Sequence, residues 1–332
     1  MNERLRLPAE WEPHSACWLA FPYLREEWPF NLPDAQRSIA ALSRTIAEVG
    51  NEPVQLLVKN DEVEERARSL IGEVSNVRYV TADYGDCWVR DTAAMLGHTT
   101  GGALGGLCFG FNGWGGKYPI AFDDTVSEWL THRIDARRFE CPVILEGGAL
   151  EPDGQGTFLT TTSCVLNDNR NPGLTREAFE EALKALICMD RLVWLDRGLA
   201  HDHTDGHIDM VARFVAPNTV LCMKATAGAP NAAVLDSIER TLRASGLTVL
   251  ELPAPSAISA PDGAPLPASY CNFYIANEAV IVPTYGIPED QTALGELANA
   301  FPGREVIGLP AADLLRGGGA FHCVTQAQPT AP

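Results

Sequence analysis

The stretch GHIDMVARFVAPNTVLCM, residues 206–223, decides the fold. Apolar and β-branched residues flank the turn pair Pro217-Asn218, so it reads as strand, turn, strand. Leu235, Ile238 and Leu242 follow at helical spacing, and the β-like run LTVLEL comes directly after them. The same order recurs elsewhere. GGALEPDGQGTFLTTTSCV, with its turn at Asp153-Gly154, precedes the stripe Phe179/Leu183/Leu186 and the run RLVWL. SYCNFYIANEAVIVPTYG, turning at Asn277, precedes Leu294/Leu297/Phe301 and REVIGL, and the stripe Ile39/Leu42/Ile46 precedes PVQLLV. Helix-then-strand order throughout predicts an α/β protein, and the unit strand-turn-strand-helix-strand returns every ~60 residues. One such unit cannot bury its own apolar faces, so several around a shared axis make a single domain, expected over residues 1–332. The Pro/Ala-rich PAPSAISAPDGAPLPA, 253–268, falls inside this register and reads as a long surface loop.

Bulk composition agrees with a folded chain: 46% of the 332 residues are hydrophobic and 20% charged. The formal charge of −18 comes from 43 acids against 25 bases. That field repels phosphate backbones and acidic lipid headgroups, so neither nucleic acid nor membrane is expected as a partner, whereas small cations are attracted. Nine cysteines are scattered with no CxxC pair, which argues against a disulfide framework and a thiolate zinc cluster. The N-terminal MNERLRLPAEWEPHSACWLAFPYL lacks a basic leader region, and a reducing cytoplasm is the expected location.

Chemistry-bearing clusters fall at the starts of units: WVRD (88–91), LEGG (145–148), TDGHID (204–209) and GGGAFHC (317–323). Strands that begin near one axis would bring these together. The densest stretch, HDHTDGHID, invites a metal reading through His201, His203 and His207, one residue away from the HxHxDH pattern of metallo-β-lactamase-type hydrolases. Gly206 breaks that spacing, and His14, His98, His132 and His322 supply no second cluster. The plainer alternative leaves His201 and His203 as solvated loop residues. On a strand, period two puts His207 and Asp209 on one face and Ile208 on the other. A nucleophile would complete the set. Cys17, Cys164, Cys188, Cys222 and Cys271 read as small buried hydrophobes, but Cys323 follows Gly317-Gly318-Gly319 and adjoins His322, which suits thiolate catalysis.

WVRDT (88–92), EGG with DGQGTFLTTTSCVLNDNRNP (146–172), TDGHID, ASYCNFYIAN (268–277), GGGAFHCVTQAQP (317–329) and WEPHSACWLAFP (11–22) together resemble agmatine deiminases and bacterial peptidyl-arginine deiminases. The resemblance spans nearly the whole chain. It implies the pentein fold of the guanidino-group-modifying enzymes, a five-bladed α/β propeller of ββαβ units about a pseudo-fivefold axis. It implies Cys323 as nucleophile, His207 as general acid and base, and Asp91 and Asp209 as the carboxylates that grip a guanidinium. Glu146 would stand near the amine end of the substrate or support the site, Trp88 would wall the pocket, and Gly317, Gly318 and Gly319 would shape its floor. Asp202 and His203 complete the expected substrate-binding set. No metal or organic cofactor is implied. The expected partner is a small cationic guanidino substrate, agmatine giving N-carbamoylputrescine, with arginine or peptidyl-arginine as the alternative; a homodimer or larger homo-oligomer is also expected. Four features depart from the family pattern: Ala149, Ala320, Ala93-Ala94, and His203 where the family has an acid.

Overall fold

The structure, a computed structural model, describes residues 3–331; Met1, Asn2 and Pro332, part of the expected domain and of the stretch read for a leader, lie outside the described residues. The apolar stripes form helices where their spacing places them. Leu32–Glu48 buries Ile39, Leu42 and Ile46 completely. Arg176–Leu186 starts at Thr175, whose hydroxyl accepts the Ala178 amide proton at 3.2 Å, and turns Phe179 and Leu183 inward. Ala232–Ala244 and Glu289–Ala300 follow the same rule, the latter closing at Phe301.

Each helix is a crossover between two parallel strands, as parallel pairing requires. Thr219–Lys224 pairs antiparallel with Ala212–Ala216 and parallel with Thr248–Pro253 beyond the helix. The pattern repeats in Glu151–Pro152, Thr157–Thr161 and Arg191–Leu195, and in Tyr274–Ile275, Ala279–Thr284 and Glu305–Pro310. A four-stranded sheet carries it through Met95–Thr99, Leu104–Gly110 and Arg137–Ile144, with Leu5–Arg6 added at its edge. Its crossover includes Val126–Arg133, a short helix that sequence spacing did not reveal because only Val126 and Leu130 supply its large buried apolar side chains.

The remaining four-stranded sheet joins the two ends of the chain. Gln326–Pro329 supplies the antiparallel partner of His14–Ala20, with Gln326 opposite Trp18, and Val54–Val58 and Val77–Thr81 follow in parallel. The result is a mixed α/β fold in which five sheets of three or four strands share one connectivity among the described residues. The 253–268 loop folds back as a small hairpin, Ile258–Ser259 against Pro265–Leu266. Among the described residues, no helix is long and apolar enough to cross a membrane.

Candidate active site

The five sheets present the same local device. Immediately before the antiparallel strand of each, the chain makes a short turn that carries polar side chains. Three are single helical turns: Val89–Thr92 before Met95–Thr99, Gly147–Ala149 before Glu151–Pro152, and Ile208–Met210 before Ala212–Ala216. The other two are the segment 269–272, ahead of Tyr274–Ile275, and the turn 321–324, ahead of Gln326–Pro329. The strand reading of His207 and Asp209 is therefore corrected: the strand begins only at Ala212. Asp205 and Gly206 take positive φ values of 67° and 103°, and Asp202 with Thr204 captures the His207 amide proton, so the backbone coils before it extends.

Gly148 marks the point of convergence. A Cβ placed on it would stand 2.7 Å from His207 Nδ1, 2.9 Å from Asp91 Oδ1 and 3.0 Å from Asp209 Oδ2. Asp91 accepts the Gly148 amide proton at 3.0 Å and the Trp114 indole proton at 2.8 Å. Asp209 Oδ2 lies 2.7 Å from His322 Nδ1 and 3.6 Å from Cys323 Sγ. The thiol also receives the Asn272 amide at 3.1 Å, while Asn272 Oδ1 accepts the amide protons of Ala320, His322 and Cys323 and so fixes the turn that bears it. His207 Nδ1 and Asp209 Oδ1 are buried with no hydrogen-bond partner among the described residues.

Behind His207 stands Glu146, 3.0 Å from Nε2, with Arg170 bonded to both of its oxygens at 3.0 and 3.2 Å. Glu146 is fully buried behind the histidine, which favours the supporting one of its two expected roles. Cys164, expected as inert core, touches the same cluster at 3.8 Å from Glu146. Glu146, Cys164 and His207 have the donor types and proximity of a metal site, but the Arg170 guanidinium already occupies the carboxylate, and its positive charge opposes a second cation there. The metal reading through His201, His203 and His207 also fails. His201 is exposed, His203 lines the cavity and His207 is buried, and among the described residues the three form no common ligand cluster.

A cavity of about 770 Å³ leads to Cys323 and is lined by Asp91, Trp88, Trp114, Tyr118, His203 and Gly317–Gly319, with Phe30 and the tip of the 253–268 hairpin at its mouth. Trp88 stacks on Trp28 with ring centroids 5.9 Å apart, and both indoles donate to Asp86 at 2.9 Å. At Gly319 a Cβ would meet Trp88 at 2.8 Å and Cys323 Sγ at 3.0 Å, so the floor has room for hydrogen alone. His203 stacks on Tyr118 at 5.9 Å. Asp202 is placed otherwise than expected: its carboxylate is spent on Thr204 and on the His207 amide, and it is not part of the cavity lining. Trp114, Asn272 and Arg170 carry weight that their sequence positions did not suggest, and His322, expected beside the thiol, bonds Asp209.

Electrostatics follow from this crowding. Burial works against a charged His207, but Asp91, Cys164 and Glu146 outweigh it and hold the imidazole well above its ordinary range. Burial, offset in part by His207 but reinforced by Asp209 and Glu146, pushes Asp91 up to about 6. The Cys323 thiol is pushed well up, by burial first and then by Asp209 and Asp91.

Cys323 and Asp91 line the cavity, and the fully buried His207 and Asp209 stand directly behind them, in a mixed α/β fold of repeated ββαβ connectivity. Residues 6–329 match the Porphyromonas-type peptidyl-arginine deiminase family, and the chain belongs to it. A Legionella pneumophila protein with a provisional agmatine deiminase name is 36% identical over 97% of this chain and 94% of its own length. Two solved structures are similar throughout: a C. jejuni agmatine deiminase with substrate bound (28% identity, TM-score 0.92, 100% of this chain and 98% of that one) and an Enterococcus faecalis agmatine deiminase (28%, 0.91, 99% and 96%). DDAH from Pseudomonas aeruginosa, at 14% identity and TM-score 0.56 over 95% of this chain and 99% of its own, shares the fold.

Proposed function

We propose that this protein hydrolyses the guanidinium of a small cationic substrate, agmatine foremost, to N-carbamoylputrescine and ammonia through a covalent intermediate on Cys323. We also read the five like-connected sheets as the blades of a pentein propeller, with the five turns gathered around its axis. The observation that carries the functional reading is the pair of orphaned buried atoms, His207 Nδ1 and Asp209 Oδ1, beside a buried thiol. Buried polar atoms are normally satisfied. A bound guanidinium would donate an N–H to Asp209 Oδ1, and Nδ1 of the charged His207 would aim its own proton at the departing nitrogen. Support also comes from relatives: the C. jejuni agmatine deiminase holding its substrate is a cysteine-to-serine variant.

In the free enzyme the thiol is neutral, since burial and two carboxylates oppose a third negative charge. A guanidinium held by Asp91 and Asp209 cancels that charge, so the thiol releases its proton to solvent and the thiolate forms. The sulfur then attacks the central carbon, His207 gives its proton to the departing nitrogen, and ammonia leaves an amidino thioether. Water, deprotonated by the now neutral His207, adds to the same carbon. Collapse expels the thiolate and releases the ureido product, so one water is consumed for each ammonia formed.

A guanidinium within a larger molecule, such as a peptide, is the second reading. The cavity of about 770 Å³, rimmed by a Phe30 that is 96% exposed, falls in the ~300–1,000 Å³ range of drug-sized ligands and exceeds what a linear amine fills. Ammonia release from agmatine, arginine and an arginyl peptide, compared as kcat/KM, separates the two. Cys323→Ala should abolish release from all three, and an active Cys323→Ala protein would sink the covalent mechanism.

A further inference from the structure

Asp209 is held by a histidine that is itself held. His322 Nε2 lies 3.2 Å from Glu10 Oε1, while its Nδ1 meets Asp209 Oδ2. Glu10, in the segment leading to the first long strand, accepts from Arg90 Nη2 and Arg213 Nη2, both at 2.7 Å, and from the Ile275 amide at 3.1 Å. Arg213 bonds Glu151 at 3.0 Å as well, and Arg90 Nε donates to the His322 carbonyl at 3.4 Å. The whole chain of contacts is out of solvent; even Glu10 keeps only 9% of its side chain exposed.

We propose that His322 and Glu10 are positioning residues for the substrate-gripping carboxylate: Glu10 fixes His322, His322 fixes Asp209 Oδ2, and Oδ1 is thereby left free to accept from the guanidinium. The inference rests on the reading above that Asp209 contacts the substrate. A lone buried carboxylate would have two ways to fail, rotating about χ2 or taking a proton. The contacts block both. Oδ2 is committed to one ring nitrogen, so the plane of the carboxylate is set. Burial pushes the Asp209 carboxyl up, but the His322 hydrogen bond and charge, followed by His207 and Arg213, outweigh it and hold the group below its ordinary range. Charged and titratable groups face the pair from every side: His207, Asp91 and Cys323 around Asp209, and Glu10, Glu151, Arg90 and Arg213 around His322.

The relay makes the N-terminal segment part of the substrate-binding apparatus although Glu10 lines a small separate cavity and not the one that leads to Cys323. It also explains why His322 precedes the nucleophile in sequence: one turn delivers the thiol and the clamp for its neighbour.

The test compares wild type with His322→Ala, His322→Asn and Glu10→Gln for kcat, KM and the pH dependence of kcat/KM on agmatine. His322→Ala should lower kcat/KM about 10- to 100-fold, chiefly through KM, the size expected for one charge-assisted hydrogen bond. Its acid limb should move to higher pH, because Asp209 without its partner takes a proton sooner as pH falls. His322→Asn keeps an amide donor near the Nδ1 position and should recover most of the loss, and Glu10→Gln should shift the limb in the same direction by less. A His322→Ala protein with unchanged KM and acid limb overturns the proposal, whatever its melting temperature. If that variant does not fold, the same unchanged pair of readings in His322→Asn and Glu10→Gln overturns it. Wild type that releases no ammonia from any guanidino compound strikes the functional reading instead. The relay is then read from calorimetry of agmatine on Cys323→Ala with and without His322→Asn and Glu10→Gln, where equal Kd values overturn it.

Discussion

Asp91 shows how burial sets a working pH. With its carboxyl at about 6, kcat/KM, which reports the free enzyme, should fall as pH drops through that value, because the guanidinium contact proposed for Asp91 requires the ionised form. Trp114 donates to that carboxylate, so Trp114→Phe should move the limb upward; a pH profile identical to wild type would remove Trp114 from this role. Gly148 makes a sharper case. Its missing side chain is the space in which three functional groups meet, and Gly148→Ala should cost about 100-fold or more in kcat with the melting temperature nearly kept, as a displacement near 1 Å does in a reacting centre. Cys323, His207, Asp91 and Asp209, the residues proposed for the chemistry, all stand in motifs visible in the sequence. Trp114 lies outside those motifs, among the glycines of Asn112-Gly113-Trp114-Gly115-Gly116. Trp114 occupies a left-handed position, φ 52°, that a turn ordinarily reserves for glycine, and it is held there by its bond to Asp91 and by packing against Phe111 and Tyr118. Nor did adjacency in sequence alone reveal that His322 bridges Glu10 and Asp209, which are 199 positions apart in the chain, 209 less 10.

Helices were legible where large apolar residues recur at helical spacing; Asp61–Ile71, which buries only Ala67 and Ile71, offered no such stripe. Four helices announced themselves by stripes that the core now buries, while Val126–Arg133 had too few apolar residues to form a pattern. Around His207 a local rule gave way to capping: alternation suggested a strand, but the Asp202 carboxylate and two left-handed residues coil the chain for one more turn. That extra turn precedes the strand in three sheets, which is how side chains at strand beginnings come to face one point. Away from the site, Thr175→Ala should remove a helix cap at a cost of about 1 kcal/mol in urea unfolding and leave kcat/KM unchanged. An equal loss of activity would show that this helix communicates with the site.

At the scale of the molecule, the charge of −18 acts before any contact is made. A cationic substrate is drawn toward the surface, so KM should rise with added salt as the Debye length shrinks from ~10 Å at 0.1 M toward ~3 Å at 1 M. A neutral urea-type analogue should show no such trend in its inhibition constant, and a salt-independent KM would limit recognition to the cavity. The pairing of Gln326–Pro329 with His14–Ala20 has a further consequence. Thr330 also meets His98 at 2.7 Å, and His98 lies opposite Arg6 on the neighbouring strand, so both ends of the chain reach the same edge. Chain order is thus incidental to the assembled site. A circular permutant with the old termini linked and new ones opened in the exposed segment near Gly228 should fold and keep its chemistry, which would make the order of the five turns along the gene a matter of descent and not of mechanism.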